Sequence, residues 1–319
     1  MHRREFLRTL GAAGAVFSLL DVIPLRAATN ATGAPRTSRG QGGPFDLDFD
    51  PSGHLLATYP AEYRVLKLDK ANTPVAGFGR AGAEVGSLNF PKGLAVDSAG
   101  LVYVVDANNG RVQVFSSEAF RTLQAPDTPG SGGVEYVIGS IGAIGGSFST
   151  PQGVHVADDG RILVADTRNH RIQIFKDRQL TAVLGELGDA DDQFRLPTAV
   201  SLTSDRDMVV LDGKHALVKI FGPDLKFKRA FGGNGTDPGR LNRPQGMKIS
   251  RDGHIWIADT GNHRIQEFAP DGTFLSGFGK QGSGEGEFNG PTGLALKDDR
   301  IYVADNGNSR IQVIAKKTR

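Results

Sequence analysis

One stretch of the sequence, Arg243–Phe268, constrains the fold more than any other, because its pattern recurs along the chain. It contains a Pro-x-Gly opener, a short apolar run, an Asp-Gly turn, a second apolar run ending in Ala-Asp, a polar loop and a third run beginning with Arg-Ile-Gln. Close copies are Phe90–Phe115, Thr150–Phe175 and Gly290–Ile314, and weaker copies are Pro44–Leu68 and Pro197–Phe221. A period near 47 residues with several strands in each period is typical of a propeller or a similar array, and the opening prolines are Pro44, Pro91, Pro151, Pro197, Pro244 and Pro291.

The loop sequence Asn-His-Arg-Ile-Gln, which follows an Ala-Asp strand end and a Pro-x-Gly opener, resembles the NHL repeat. The resemblance covers the chain from about residue 44 to its end and includes six copies. It implies an all-β fold, a six-bladed β-propeller of NHL-type repeats. Proteins of this kind include binding platforms, the substrate-recognition parts of ubiquitin ligases and a zinc lyase, so the resemblance implies the fold and leaves the activity open.

The first 28 residues resemble a twin-arginine (Tat) export signal. Arg3 and Arg4 precede a Phe-Leu pair, and Leu10–Leu20 is an apolar or small run too short for a membrane-spanning helix. We therefore expect a Tat signal peptide at residues 1–28, a linker at 29–43 and a six-bladed NHL β-propeller at 44–319, in a periplasmic or secreted protein. A cytosolic N-terminus and a retained membrane anchor are the alternatives.

Composition excludes several classes of function. Without residues 1–28 the chain has 33 basic and 33 acidic residues, so net charge gives it no attraction to nucleic acid or anionic lipid. It has no cysteine, which excludes disulfides, zinc–thiolate sites, thiol nucleophiles and the zinc module of a ubiquitin ligase. We expect no nucleic-acid partner, no membrane insertion after signal cleavage, and a monomer.

Each repeat predicts strands a, b and c, followed by an outer strand d. Because strand direction alternates, the Pro-x-Gly openers and the b–c loops share one face of the disc, which we call the opener face. The a–b and c–d turns share the other, which we call the turn face. The predicted outer strands are Pro74–Phe78, Glu135–Ile138, Leu180–Leu184, Phe227–Phe231 and Thr273–Phe278.

The end of the chain predicts an incomplete sixth blade. Its last strand, Arg310–Ile314, is a strand c. Counting back from Pro44 places a completing strand d at Ala27–Ala31, which is weakly β-forming and overlaps the expected cleavage site. We therefore expect an open or three-stranded sixth blade held mainly by side-chain packing.

An aspartate and an arginine five residues apart recur across the b–c loop. A carboxylate facing a guanidinium can close such a loop with charge-assisted hydrogen bonds, so we interpret these residues as structural. His170 and His263 lie inside the same motif and are interpreted as loop-packing residues. The predicted pairs are Asp106 with Arg111, Asp166 with Arg171, Asp259 with Arg264, and Asp305 with Arg310.

Blades 1 and 4, which face each other in a six-bladed ring, depart from the repeat. Blade 1 has Tyr59 in place of the aspartate and Asp46 in place of the opener glycine. Blade 4 has Ala199 for the glycine and Leu217 for the arginine, with His215 in its loop. Two explanations of these departures are open: loss of the repeat pattern in blades that tolerate it, and adaptation of these blades to a ligand. Blade 2 has about thirteen extra residues within 116–149. We expect this insertion to form a loop that either covers part of one face or extends outward from the ring.

Two rings of side chains are predicted around the channel. In the zinc lyase that this fold resembles, histidine ligands directly follow the opener proline. Here that position has no histidine or acid, so we expect no metal site and no cofactor. The opener ring is polar apart from Phe45 and consists otherwise of Lys92, Gln152, Thr198, Gln245 and Thr292. Deeper in the channel lie Asp48, His155, Ser201 and Lys248, where Asp48 could pair with Lys248 or His155.

These features predict an exported binding or scaffolding protein that recognises a protein, peptide or glycan on the opener face, with no catalytic residues. The opener ring and the surrounding loops would supply donors, aromatic faces and imidazoles, which are typical of recognition. The loop residues are Tyr59, Tyr63, Arg168, His170, His215 and His263. The alternative is a metal-dependent lyase or lactonase-like hydrolase that uses the central channel.

Overall fold

The computed structural model describes residues 42–122 and 133–316. They form six antiparallel sheets, the blades. The innermost strand of each blade contacts the innermost strands of both neighbours, so the blades close into a ring around a central channel. The prediction of an all-β, six-bladed propeller is confirmed.

Strands a, b, c and d follow one another outward from the channel, as the repeat predicts. Blade 1 consists of Leu47–Phe49, Leu55–Tyr59, Arg64–Leu68 and Pro74–Phe78. Blade 2 consists of Pro91–Val96, Val102–Asp106, Arg111–Phe115 and Val134–Ile138. Blade 3 consists of Val154–Val156, Ile162–Asp166, Arg171–Lys176 and Gln179–Leu184.

Blade 4 consists of Pro197–Leu202, Met208–Asp212, Leu217–Phe221 and Phe227–Gly232, and blade 5 of Gly246–Ile249, Ile255–Asp259, Arg264–Phe268 and Phe274–Phe278. Blade 6 consists of Pro291–Lys297, Arg300–Asp305 and Arg310–Ala315. Outer strand 1 has the predicted bounds, and those of blades 2–5 differ by one residue at one end. Short 3₁₀ helices form the b–c loops of five blades, at Pro60–Glu62, Ala107–Asn109, Thr167–Asn169, Thr260–Asn262 and Asn306–Asn308.

The core lies between the blades rather than within them. Apolar side chains of strands a, b and c pack against the next sheet and form six clusters around the ring. Each connector from a strand d to the next strand a adds one fully buried apolar side chain, namely Leu88, Phe148, Phe194, Leu241 and Phe288. Burying each contributes about 2 kcal/mol, so the connectors are fixed parts of the opener face.

Side-chain contacts between blades 6 and 1 close the ring. Thr292 Oγ1 donates to the Phe45 carbonyl at 2.7 Å, and Asn306 Nδ2 donates to the Pro44 carbonyl at 3.1 Å. The Phe49 ring packs edge-on against Tyr302, with 4.9 Å between ring centroids. Among the described residues blade 6 has three strands. The proposed completing strand, 27–31, lies outside the described residues.

The insertion in blade 2 begins along the outer edge of blade 1. After a 3₁₀ turn at Ser117–Ala119, the strand Arg121–Thr122 pairs with Pro74–Phe78 and extends that sheet to five strands. Phe120 packs edge-on against Phe78, with centroids 4.9 Å apart. The described beginning of the insertion therefore runs outward from the ring. Within the described part of the chain, no helix has the length and hydrophobicity that a membrane crossing requires.

Candidate functional site

The b–c loops of the opener face are held by a buried carboxylate that accepts four hydrogen bonds. Asp259 is fully buried and accepts from the Asn242 backbone N–H at 2.7 Å and from Asn262 Nδ2 at 2.8 Å. It also accepts from Arg264 Nε at 2.8 Å and from Gln266 Nε2 at 3.0 Å. The predicted ion pairs are therefore present, and blades 2, 3 and 6 repeat this arrangement at Asp106, Asp166 and Asp305.

The sequence interpretation missed the asparagine and glutamine of this network. They stand three and seven residues after the aspartate in all four close copies, and that fixed spacing was the available signal. The arginine also reaches the preceding connector, where Arg264 donates to the carbonyls of Thr236, Asp237 and Arg240. Each network therefore ties a b–c loop to the connector beside it and makes the opener face rigid.

Blade 4 builds the same junction from different residues. His215 replaces the asparagine, and its Nδ1 lies 2.7 Å from Asp212 Oδ2 while its Nε2 lies 2.8 Å from Asp189 Oδ1. Lys219 replaces the glutamine and donates to the connector carbonyls of Ala190 and Gln193 at 2.8 and 2.6 Å. His215, predicted as a ligand-binding residue, thus has both ring nitrogens on carboxylates within the fold.

His170 and His263 pack between neighbouring blades. His170 Nδ1 accepts the Leu196 backbone N–H at 3.1 Å, and His263 Nδ1 accepts the Gly290 N–H at 3.0 Å. Burial, together with the charge of Arg195, lowers the pKa of His170 despite the opposing effect of Asp212. Each ring therefore packs its b–c loop against the connector that follows it, which is the loop-packing arrangement expected from the sequence.

The b–c loop of blade 1 abandons this network. Burial and the nearby Glu62 carboxyl raise the pKa of the Tyr59 phenol. Tyr63 has a positive φ of 58° and occupies the left-handed position that Gly110 and His263 take in other blades. Both tyrosines are half-buried. They lie on the opener face as predicted, but Tyr63 is also a backbone cap.

The opener ring divides into free and occupied side chains. Thr198 and Thr292 are buried and donate to carbonyls of the next blade, Pro244 at 3.3 Å and Phe45 at 2.7 Å. The Gln152 Oε1 atom is buried, and no donor among the described residues reaches it. Burial and the charge of Arg168 lower the pKa of Lys92 to about 8. Gln152, Gln245 and Lys92 are therefore the ring residues with capacity for a ligand.

The Lys92 ammonium lies over aromatic rings, 5.4 Å from the Phe45 centroid and 5.8 Å from that of Phe90. Such a cation–π arrangement holds the charge at the channel mouth although the side chain is partly desolvated. Arg168 is exposed on the neighbouring b–c loop. These two cations give the opener face a local positive charge beside blade 3.

The channel holds an ion pair that the sequence anticipated. Lys248 Nζ lies 3.5 Å from Asp48 Oδ2, and both side chains are 26% exposed. Burial opposes charge on Lys248, but Asp48 and Asp46 outweigh it and raise its pKa. Burial and the Lys248 charge lower the pKa of His155 to about 4. His155 and Ser201 line the same cavity as Lys248, as predicted.

Asp46 is a channel residue that the sequence did not predict for either ring, although its replacement of the opener glycine is visible there. Its Oδ2 accepts the Leu94 N–H of blade 2 at 3.0 Å, and its Oδ1 accepts the Leu47 N–H at 2.9 Å. Asp48 likewise accepts the Val96 N–H at 3.1 Å. Burial raises the pKa of Asp46 to about 6 against the opposing charge of Lys248. The two carboxylates join blade 1 to the inner edge of blade 2.

The cavity between the two rings is small, about 40 Å³, and is lined by blades 1, 3, 4, 5 and 6. This volume suits a few waters, whereas sites for small molecules typically measure about 300–1,000 Å³. Within residues 42–122 and 133–316, no three His, Cys, Asp or Glu side chains come together as a metal-binding group.

The NHL repeat family matches the chain over residues 88–115, 148–175, 241–268 and 288–314. These segments lie in blades 2, 3, 5 and 6, the close copies of the repeat. With six blades around one channel, the chain is an all-β six-bladed propeller with NHL repeats.

Among curated proteins, the chain is similar to protein brain tumor of Drosophila melanogaster, with 34% identity over 97 residues. That match spans 30% of this chain and only 9% of the fly protein, so it concerns a small part of a much longer relative.

Solved structures with a similar fold include proteins of different activities. Streptogramin B lyase matches with a TM-score of 0.57 and 16% identity, over 89% of this chain and 86% of the lyase. A gluconolactonase from Xanthomonas campestris matches with a TM-score of 0.62 and 13% identity, over 91% and 94%. An auxiliary nutrient binding protein from Bacteroides thetaiotaomicron matches with a TM-score of 0.62 and 14% identity, over 86% and 69%. At these identities the likeness shows the propeller fold alone.

Proposed function

We propose that this chain is an exported binding or scaffolding protein that recognises a protein, peptide or glycan on its opener face. The supporting observation is the contrast between the channel and the face around it. The channel cavity is small and contains the Lys248–Asp48 ion pair, whereas the face around it carries Lys92 at the start of a strand, Arg168 on the b–c loop of blade 3 and Tyr63 on that of blade 1. A preorganised surface of aromatic and cationic side chains binds with little loss of conformational entropy.

Export through the twin-arginine route is part of the proposal. Arg3 and Arg4 precede the apolar run Leu10–Leu20, and the absence of cysteine makes folding independent of the redox state of the compartment. The natural partner would then be a component of the periplasm or cell surface.

Capture from periplasmic extract tests the binding face. The variant Tyr63→Asn with Arg168→Ala removes an aromatic ring and a cation, and asparagine tolerates the left-handed backbone at position 63. We expect loss of the captured partner at an unchanged melting temperature. The matched control, Asp158→Lys with Asp299→Lys, reverses exposed charges on the turn face and should retain capture. The opposite pattern would assign the partner to the turn face.

A second candidate is a lyase or lactonase-like hydrolase that works at the channel. The observation in its favour is that Asp46 lines the channel cavity together with His155 and Lys248, and that burial raises the pKa of Asp46 to about 6, in the range of a general acid or base. In the part of the chain that the structure describes, no three His, Cys, Asp or Glu side chains are grouped so that they could hold a metal ion. Stoichiometric transition metal in protein purified without chelators would support this candidate, and its absence would support the binding protein.

A further inference from the structure

In the described part of the chain, the exposed large apolar side chains are confined to one half of the ring. They lie between positions 75 and 196, in blades 1 to 3 and the connectors up to blade 4. Three stand out on two consecutive connectors of the opener face: Ile141 is 71% exposed, Ile144 is 76% exposed, and Leu187 is 60% exposed. We call these three residues the apolar arc.

The repeat provides an internal comparison for the arc. Ile141 and Leu187 occupy the connector position that forms a bridge to the buried Phe148 and Phe194. In the next two connectors the same position holds Asn234 and Gln281, both exposed. The fold therefore accepts a polar side chain at this position, and neither propeller closure nor core packing requires the isoleucine or the leucine.

The two connectors of the arc differ sharply in charge. Residues 139–150 contain no charged side chain, and Ala143 is exposed between the two isoleucines. Residues 185–196 carry one arginine against four exposed carboxylates, which are Glu186, Asp189, Asp191 and Asp192. Asp189 is paired with Arg195 at 2.9 Å and with His215 at 2.8 Å. Asp191 and Asp192 extend this acidic surface beside Leu187.

The apolar and acidic connectors are separated by one blade, blade 3, which both of them contact. A side chain placed at Gly145 would contact Leu180 of the blade 3 outer strand. On the other side, His170 of the blade 3 loop accepts the Leu196 N–H. An uncharged apolar connector therefore lies on one side of blade 3 and an acidic connector on the other.

We propose that the apolar arc and Asp191–Asp192 form one docking site for a protein segment in which apolar side chains are followed by lysine or arginine. This inference rests on the proposed binding function and names its partner class. The apolar part of the segment would cover Ile141 and Ile144, which removes exposed apolar surface from water. The basic part would face the acidic connector, and opposite charge would speed encounter and fix the direction of the segment.

The test uses fluorescein-labelled synthetic peptides and fluorescence anisotropy. The probe has a leucine block followed by a lysine block, and the comparison peptides replace lysine by glutamate or leucine by serine. We expect the leucine–lysine peptide to bind, and both comparison peptides to bind at least tenfold more weakly. Ile141→Ser with Ile144→Ser should weaken binding of the leucine–lysine peptide at least tenfold, because each isoleucine is worth about tenfold in affinity when covered.

Two further variants separate apolar contact from charge and from general damage. Asp191→Asn with Asp192→Asn should weaken binding several-fold and reduce its dependence on salt, because exposed charges are screened. Asn234→Ser with Gln281→Ser changes the equivalent connector positions in the other half of the ring and should leave binding unchanged.

Several results would overturn the docking site. The leucine–lysine peptide could fail to bind the wild type, or the glutamate peptide could bind equally well. The double isoleucine variant could bind the leucine–lysine peptide as tightly as the wild type. Finally, the wild type could sediment as a dimer that the double isoleucine variant converts to a monomer. The last result would show that a second copy covers the arc. If extract capture still depends on Tyr63 and Arg168, the opener-face proposal stands without the arc, whereas capture by the turn face would overturn both.

Discussion

Removal of Arg264 tests whether the buried carboxylate network holds the opener face together. The guanidinium is 17% exposed and donates to Asp259 at 2.8 Å. It also donates to the connector carbonyls of Thr236 at 2.7 Å, Asp237 at 2.8 Å and Arg240 at 2.7 Å. Arg264→Ala therefore removes the charge partner of a buried carboxylate and three links to the connector in one step.

The expected loss in unfolding free energy is about 3 kcal/mol. A hydrogen bond to a charged group contributes about 1.5–3 kcal/mol, and each of the three partly solvated carbonyl bonds about 0.5 kcal/mol. Leaving a buried charge with no compensation costs about 3–5 kcal/mol. The lower figure applies here because Asp259 keeps three neutral donors, from Asn242, Asn262 and Gln266.

Chemical and thermal unfolding followed by circular dichroism measure this loss. A change of about 3 kcal/mol corresponds to a decrease in Tm of roughly 5–10 °C for a domain of this size. Arg251→Ala, at an exposed turn of the same blade, is the matched control and should change stability by less than about 0.5 kcal/mol. If Arg264→Ala is as mild as Arg251→Ala, the network is a solvated surface feature and the reasoning is refuted.

Two further predictions concern the channel and export. The folded-state pKa of Asp46, about 6, is raised above its ordinary value of 3.8, so its contribution to stability is present below pH 4 and is lost as pH rises to 6. Relative to Asp46→Asn, the wild type should lose about 2 kcal/mol of unfolding free energy between pH 4 and 6, and parallel pH profiles of the two proteins in denaturant titrations would contradict this. Arg3→Lys with Arg4→Lys should leave precursor in the cytoplasm in a cell-fractionation immunoblot, because the translocon reads the arginine pair; an unchanged periplasmic yield would rule out the twin-arginine route.

Much of the fold followed from the sequence because each repeat carries its own local signals. Pro-x-Gly openers, Asp-Gly turns and apolar runs recur at a fixed period, and neighbouring strands are close in sequence, so their pairing needs no long-range information. The Asp–Arg pairs followed for the same reason, since their members lie five residues apart across one loop. The three strands of the sixth blade within the described residues followed from counting strands.

The candidate site was less accessible to such reasoning, because its properties depend on contacts between blades. Thr198 and Thr292 are polar residues at predicted ring positions. Because the blades close into a ring, their hydroxyls donate hydrogen bonds to carbonyls of the next blade. The sequence predicts His215 to be a ligand-binding loop residue. The fold instead places its ring between Asp212 and Asp189, and Asp189 is 26 residues away in sequence. In the sequence, Asp46 is only a residue that replaces the opener glycine. It becomes an acceptor for the Leu94 N–H because blade 2 packs against blade 1.

The strands, their order and the local ion pairs can therefore be predicted from the sequence, because they depend on residues within one period. Which polar groups remain free and which surfaces are exposed depends instead on how neighbouring blades pack together. Ile141, Ile144 and Leu187 show this difference, since an apolar residue in a connector is equally consistent with a buried anchor. Phe148 and Phe194, seven residues after Ile141 and Leu187, are fully buried. The depth of each side chain is set by the neighbouring blade, which packs over the phenylalanine and leaves the isoleucine and leucine in solvent.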